Sequence, residues 1–219
     1  MIFHRHPYPV FLPIHTDSLI VGTLPPYRFS VGQLFEDDVD FCYGSKYGLL
    51  WPILNEIFHL ELSFENNESA IYQRKSFLQK NRMGICDIVD SCEREKIDAS
   101  DLGMKNIKLR NLVQVLEENT SINRLLLMGG MSLNGPGYLL KKHLQSHNIP
   151  VSILTENSIK TLEFSINQRK IKAYMLISPS SAANRAIGNT FLYKLKKSND
   201  PNYSVMDFRI AQYKLVFLP

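Results

Sequence analysis

The segment SLIVGTLPP, residues 18–26, decides the fold. Four residues, Ser18 to Val21, make a short apolar run, and the run stops on Gly22-Thr23. Two prolines follow, which can neither continue a central strand nor donate to a ladder. A buried strand broken this sharply belongs to a parallel sheet covered on both faces. At the carboxyl end of such a strand a turn presents bare backbone N–H groups to the crevice where open α/β folds bind ligands.

Further short apolar runs bounded by turn residues recur as MGICDIV, NRLLLMGG, VSILT and KAYMLISPS. Segments with helical spacing separate them, at about 48–58, 69–81, 105–119, 133–147, 182–196 and 207–216. This alternation predicts a three-layer α/β/α sandwich with a central, mostly parallel sheet. No repeat, linker or low-complexity tract interrupts it, so the expectation is one domain over residues 1–219. ELSFENNES and KKSNDPNYS read as surface loops. Gly84, the Gly129-Gly130 pair and Pro179 bound predicted strands. Their turns converge on one sheet edge, predicting a crevice lined by GTLPP, CDIVDSCER, GGMSLNG and SPSSAANR.

The 219 residues are 44% hydrophobic and 21% charged, enough apolar mass for a substantial core. The net charge of +4 permits a phosphate-bearing partner without demanding one. Three cysteines, Cys42, Cys86 and Cys92, fit no disulfide framework and no zinc or iron–sulfur spacing, which predicts reduced thiols, no metal and no cofactor. The first residues, MIFHRHPYPVFLPIH, lack a continuous apolar core, and no run reaches membrane-spanning length. A cytoplasmic, monomeric protein is expected. His4 and His6 read as solvated residues on a mobile arm rather than metal ligands.

GGMSLNGPG, residues 129–137, matches neither G-x-x-x-x-G-K-[ST] nor G-x-G-x-x-G, so a turn is the simpler reading than a phosphate loop. The order of four segments is more informative. A strand ending in Gly22-Thr23-Leu24-Pro25 comes first, followed by Phe41-Cys42-Tyr43-Gly44 leading to Trp51-Pro52. Next come Gly84-Ile85-Cys86-Asp87-Ile88-Val89 with Ser91-Cys92-Glu93-Arg94, and finally Ser178-Pro179-Ser180-Ser181-Ala182. The series resembles the uracil-DNA glycosylase superfamily, and within it the hypoxanthine-DNA glycosylase branch, over residues 19–184.

That resemblance implies a DNA glycosylase-like base-excision repair protein. Such a protein extrudes a deaminated or damaged base, of hypoxanthine or uracil type, and hydrolyses its N-glycosidic bond without metal or cofactor. It places the base pocket at Gly22, Thr23, Leu24, Pro25, Phe41, Tyr43 and Ser178. The Thr23 and Leu24 amides would meet base oxygens, and Phe41 or Tyr43 would stack on the ring. Ser180, Ser181, Arg185 and Arg94 are the candidate DNA contacts. Each residue also has a plain structural reading. Phe41, Tyr43 and Trp51 suit a core, the serines suit a helix cap, and Glu93-Arg94 suits a surface ion pair.

The chain departs from the family where catalysis is expected. Leu24 stands where relatives carry an acid or amide, Gly48 where the hypoxanthine branch carries an asparagine, and Ser178 where uracil-specific members carry histidine. The substitute candidates are Asp40, Asp87 and Asn184, with Asp38 in the same acidic run. Two alternatives stay open, a base-binding member without catalysis and a small nucleotide-binding α/β protein that uses GGMSLNGPG.

Overall fold

A computed structural model describes residues 1–97 and 101–218. In chain order the first half comprises β1 (Ile2–Arg5), β2 (Ser18–Gly22), α1 (Tyr27–Ser30), α2 (Leu50–Phe58), α3 (Glu68–Lys80), β3 (Met83–Asp87), β4 (Val89–Arg94) and β5 (Met104–Leu109). The second half comprises α4 (Leu112–Glu118), β6 (Arg124–Leu127), α5 (Pro136–Ser146), β7 (Ser152–Glu156), β8 (Ile159–Ile166), β9 (Arg169–Met175), α6 (Asn184–Gly188), α7 (Phe191–Asn199) and α8 (Val205–Phe217). Short 3-10 turns at Asp101–Gly103 and Ser181–Ala183 precede β5 and α6.

The main sheet has the order β3-β2-β6-β9-β8-β7. Its first four strands are parallel, and β8 and β7 extend it antiparallel. Side chains alternate across β2, as the period of two requires. Leu19 and Val21 join one apolar core with Leu112 and Leu116 of α4 and Leu140 of α5. Ile20 joins the other, with Trp51 and Leu54 of α2, Leu78 of α3 and Tyr213 of α8. Leu19, Ile20 and Val21 are wholly buried, each contributing about 1.5–3 kcal/mol of apolar transfer energy. Helices therefore cover both faces, giving the three-layer α/β/α sandwich. The chain leaves β2 for β3 on one side and later returns to β6 on the other, so the carboxyl end of β2 is a topological switch point.

Three expectations fail locally. The segment read as a helix over 105–119 begins as a strand, because MKNIKL pairs antiparallel with β4 and buries Met104 at its start; only Leu112–Glu118 is helical, capped by Asn111. β5 pairs with β4, and β4 with β1, in a second, antiparallel sheet of order β1-β4-β5. That pairing also corrects the reading of the N-terminus as a mobile arm: His4 is 0% and His6 7% exposed. Finally, the helix expected over 182–196 is broken at Gly188, and Thr190 caps a separate α7.

All three cysteines are free and buried, and burial pushes the thiols of Cys42 and Cys86 upward, which makes them inert. Among the described residues, no helix is long and apolar enough to cross a membrane.

Candidate active site

Gly22 ends β2 beside Asp87, its register partner at the end of β3. A β-carbon on Gly22 would collide with both the Tyr43 hydroxyl and the Asp87 carboxylate. Glycine is therefore what lets an aromatic hydroxyl and a carboxylate close on the strand end. Tyr43 reaches this position from a tight loop. Val39 N–H donates to Gly44 O at 2.7 Å and Gly44 N–H to Phe41 O at 2.9 Å. Gly44 has no room for a side chain beside the Val39 carbonyl, and Tyr43 itself sits at φ 60°, a left-handed conformation rare for an aromatic residue. Burial and the negative charge of Asp87 push the Tyr43 hydroxyl well above its ordinary range, which keeps it a proton donor.

Asp87 is 4% exposed and needs a partner. His6 provides it, with Nε2 2.8 Å from Asp87 Oδ2. His6 Nδ1 in turn lies 2.9 Å from the Tyr8 carbonyl oxygen and 3.0 Å from the Tyr8 amide nitrogen, which fixes the ring against the carboxylate. His4, one turn of the pleat away, accepts from Arg94 Nε at 3.0 Å, and burial with the field of Arg94 lowers it to about 4. Arg94 is only 2% exposed, so it is an internal residue and not the surface ion-pair member that the sequence suggested.

Thr23 turns its hydroxyl to Asp101 Oδ1 at 2.9 Å. Burial raises the Asp101 carboxyl to about 6, with the Thr23 hydrogen bond and the charge of Arg94 opposing the rise. Among the described residues the Thr23 and Leu24 amides have no hydrogen-bond partner, while the Gly22 and Thr23 carbonyls accept from Ile88 and Val89. Leu24 packs its side chain on the apolar core under α4 and α5. Pro25 is half-buried, and Pro26 precedes α1.

The remaining candidates divide. Phe41 lies in the core, 6% exposed, with ring centroids 5.6 Å from Phe11 and 6.3 Å from Trp51. Trp51 Nε1 donates to Cys42 O at 2.9 Å. Asp40 is exposed, and the Tyr8 hydroxyl donates to it at 2.6 Å. Asp38 is wholly buried and accepts Arg28 Nε at 2.6 Å and Nη2 at 2.7 Å, with the Phe35 and Lys46 amides at 3.0 and 2.9 Å. It organises the loop that carries Tyr43.

The serine-rich loop is tied down from two sides. Leu49 N–H donates to Pro179 O at 2.9 Å, which joins it to the Tyr43 loop. From α8, Arg209 donates to the Ser178 and Ser180 carbonyls at 3.2 and 2.7 Å, and the Tyr213 hydroxyl to Ile177 O at 2.8 Å. Ser180 caps the turn through the Ala182 amide at 3.3 Å. Ser181 and Arg185 are exposed. Asn184 is half-buried, its Oδ1 enclosed without a partner among the described residues.

The structure thus brings Gly22, Tyr43 and Asp87 together and adds His6 and Asp101, which sequence reasoning missed. A histidine in a proline-broken N-terminus and an aspartate in a turn carry no local signal; long-range packing places both. Among the described residues, no group of three or more histidine, cysteine, aspartate or glutamate side chains is arranged to hold a metal.

No family model and no curated protein matches the chain. A solved structure does: the solution NMR structure of a protein from Methanosarcina acetivorans, named as a "putative" uracil DNA glycosylase, is similar with a TM-score of 0.59. The two are 16% identical, and the match covers 99% of this chain and 97% of that one. At that identity the likeness speaks for architecture, and the architecture of this chain is the uracil-DNA-glycosylase-like α/β/α fold.

Proposed function

We propose that the protein is a DNA glycosylase that receives a deaminated base, hypoxanthine first, at the carboxyl end of β2 and hydrolyses its N-glycosidic bond. The observation that supports this is the convergence of the Tyr43 hydroxyl and the His6-paired Asp87 carboxylate on a strand end that only glycine permits. Hydrolysis of the bond adds water at the sugar carbon and releases the base with a proton. Positive charge builds on the sugar while negative charge builds on the base. Asp87, the candidate catalytic residue, offsets the first and orients the water. The Tyr43 hydroxyl and the Thr23 and Leu24 amides donate to the second. Ser180, Ser181 and Arg185 hold the backbone at the rim. His6 acts through Asp87 and is a positioning residue.

A second reading, a base reader without cleavage, is favoured by one feature. Leu24 is turned into the core and Gly48 has no side chain, so neither familiar position holds water. The test is single-turnover cleavage of duplex and single-stranded oligonucleotides carrying hypoxanthine, uracil, xanthine or a G·T mismatch, with alkali to reveal abasic sites. Cleavage that falls at least a hundred-fold in Asp87→Asn supports the glycosylase. Selective binding without cleavage supports the reader. Equal treatment of modified and unmodified DNA refutes both.

A further inference from the structure

Hydrolysis at the carboxyl end of β2 releases the base with a proton, and the groups named so far leave that proton without a source. The Tyr43 hydroxyl is pushed well above its ordinary range, so it holds a hydrogen bond without giving up its proton near neutrality. Asp87 is committed to the His6 ring. Asp101 is the remaining acid. Its Oδ1 accepts from the hydroxyl of Thr23 at 2.9 Å, the residue that follows Gly22 and whose amide is assigned to the base. Asp101 is partly exposed, and its Oδ2 has no hydrogen-bond partner among the described residues and, unlike Asn184 Oδ1, is not enclosed. A loop holds the carboxyl in place. Asn134 Nδ2 donates to Asp101 O at 3.0 Å and to Met104 O at 3.2 Å, with Asn134 at φ 60°, a left-handed conformation that asparagine tolerates. The segment GGMSLNGPG thus clamps the Asp101 turn.

We infer that Asp101 is the proton donor to the extruded base: its protonated carboxyl hydrogen-bonds a purine ring nitrogen through Oδ2 and passes the proton across as the base departs. The inference rests on the reading that the carboxyl end of β2 receives a base. The sugar–base bond breaks with its electron pair going to the base, and the Asp101 proton neutralises that charge at the ring nitrogen. The water that adds to the sugar carbon gives up one proton to Asp87. Exchange with solvent then discharges Asp87 and reprotonates Asp101. The surroundings suit an acid that works near neutral pH. Burial and the negative charge of Asp87 on β3 favour the protonated form, against the Thr23 hydrogen bond and the charge of Arg94 on β4, and the balance lifts the carboxyl to about 6. The Tyr43 hydroxyl and the Cys92 thiol of β4 also feel its charge, and both stay neutral. Two carboxyls in unlike surroundings, one paired with an imidazole and one bonded to a hydroxyl, divide into base and acid.

The test uses the full chain, with each variant checked for native circular dichroism, and two readouts from pH 5 to 8. The first is the preference for a duplex carrying a cleavage-resistant 2′-fluoro-substituted deoxyinosine over an unmodified duplex, by fluorescence anisotropy. The second is single-turnover cleavage of deoxyinosine. In the wild type the preference falls about five-fold or more as the pH rises through about 6, and cleavage falls with it. Asp101→Asn keeps an N–H donor where the acid has its O–H, so it holds the preference at every pH, yet it cleaves about a hundred-fold more slowly at pH 5. Thr23→Val removes a donor to the ionised carboxylate and moves the midpoint to higher pH. A pH-dependent preference that Asp101→Asn makes flat, without cleavage by either protein, supports the contact in a base reader. One pH profile shared by wild type and Asp101→Asn, or equal cleavage rates at pH 5, overturns the assignment while the base site stands. No preference for the modified duplex at any pH overturns the base site and the assignment with it.

Discussion

Replacing Asp38 by asparagine changes one atom type at a wholly buried position, and its cost follows from the bonds around that atom. The carboxylate accepts four donors: Arg28 Nε and Nη2, Phe35 N–H and Lys46 N–H. An amide oxygen serves only the donors on its own side, and the amide NH2 turns a donor against the other pair. The variant therefore loses a paired charge and leaves two donors unsatisfied, about 3–5 kcal/mol in total. For a chain of this size that lowers the melting temperature by about 10 °C. The effect has a pH signature. Burial opposes ionisation of Asp38, but Arg28 and the two amides outweigh it and hold the carboxyl below its ordinary 3.8. Folding stability from this group is then complete above that value and is lost as the pH falls through the depressed one. Melting curves of wild type and Asp38→Asn should differ by a constant gap from pH 5 to 8 and converge in stronger acid. A gap under about 2 °C at pH 7, or one that widens in acid, refutes the reasoning.

Other variants probe the site from different sides. Gly22→Ala forces Tyr43 and Asp87 away from β2 and should destabilise by about 1–3 kcal/mol, visible in urea unfolding, while removing cleavage and selective base binding. Asp101→Asn should raise the melting temperature at pH 8 and leave it unchanged at pH 3. Burial lifts this carboxyl to about 6, so its ionised form is a cost that appears as the pH rises through that value. His6→Ala strands a buried carboxylate, for a loss of about 3–5 kcal/mol read by thermal melting. His6→Gln, which can still donate to Asp87, should recover most of it.

How much of this was legible in the sequence depends on whether the signal was local. SLIVGTLPP carries its own punctuation, and the alternation of short apolar runs with helical segments is enough to predict the layers. The β1-β4-β5 sheet was hidden because IFHR and MKNIKL are short and half-polar, and each becomes a strand only by pairing with β4. The same non-locality hid His6 and Asp101. Their roles come from contacts 81 and 78 residues away in sequence. Arg209 and Tyr213, which anchor the serine-rich loop, sit in a helix whose sequence suggested only an amphipathic terminus.

The most direct test of the account is to bind a duplex carrying a 2′-fluoro-substituted deoxyinosine, whose glycosidic bond resists cleavage, and to follow backbone amide signals by NMR. The account predicts that this duplex, and not its unmodified counterpart, shifts the signals of Gly22, Thr23, Leu24, Tyr43 and Asp87 together. Identical shifts with both duplexes, or shifts confined to residues 129–137, would contradict it and transfer binding to another part of the fold.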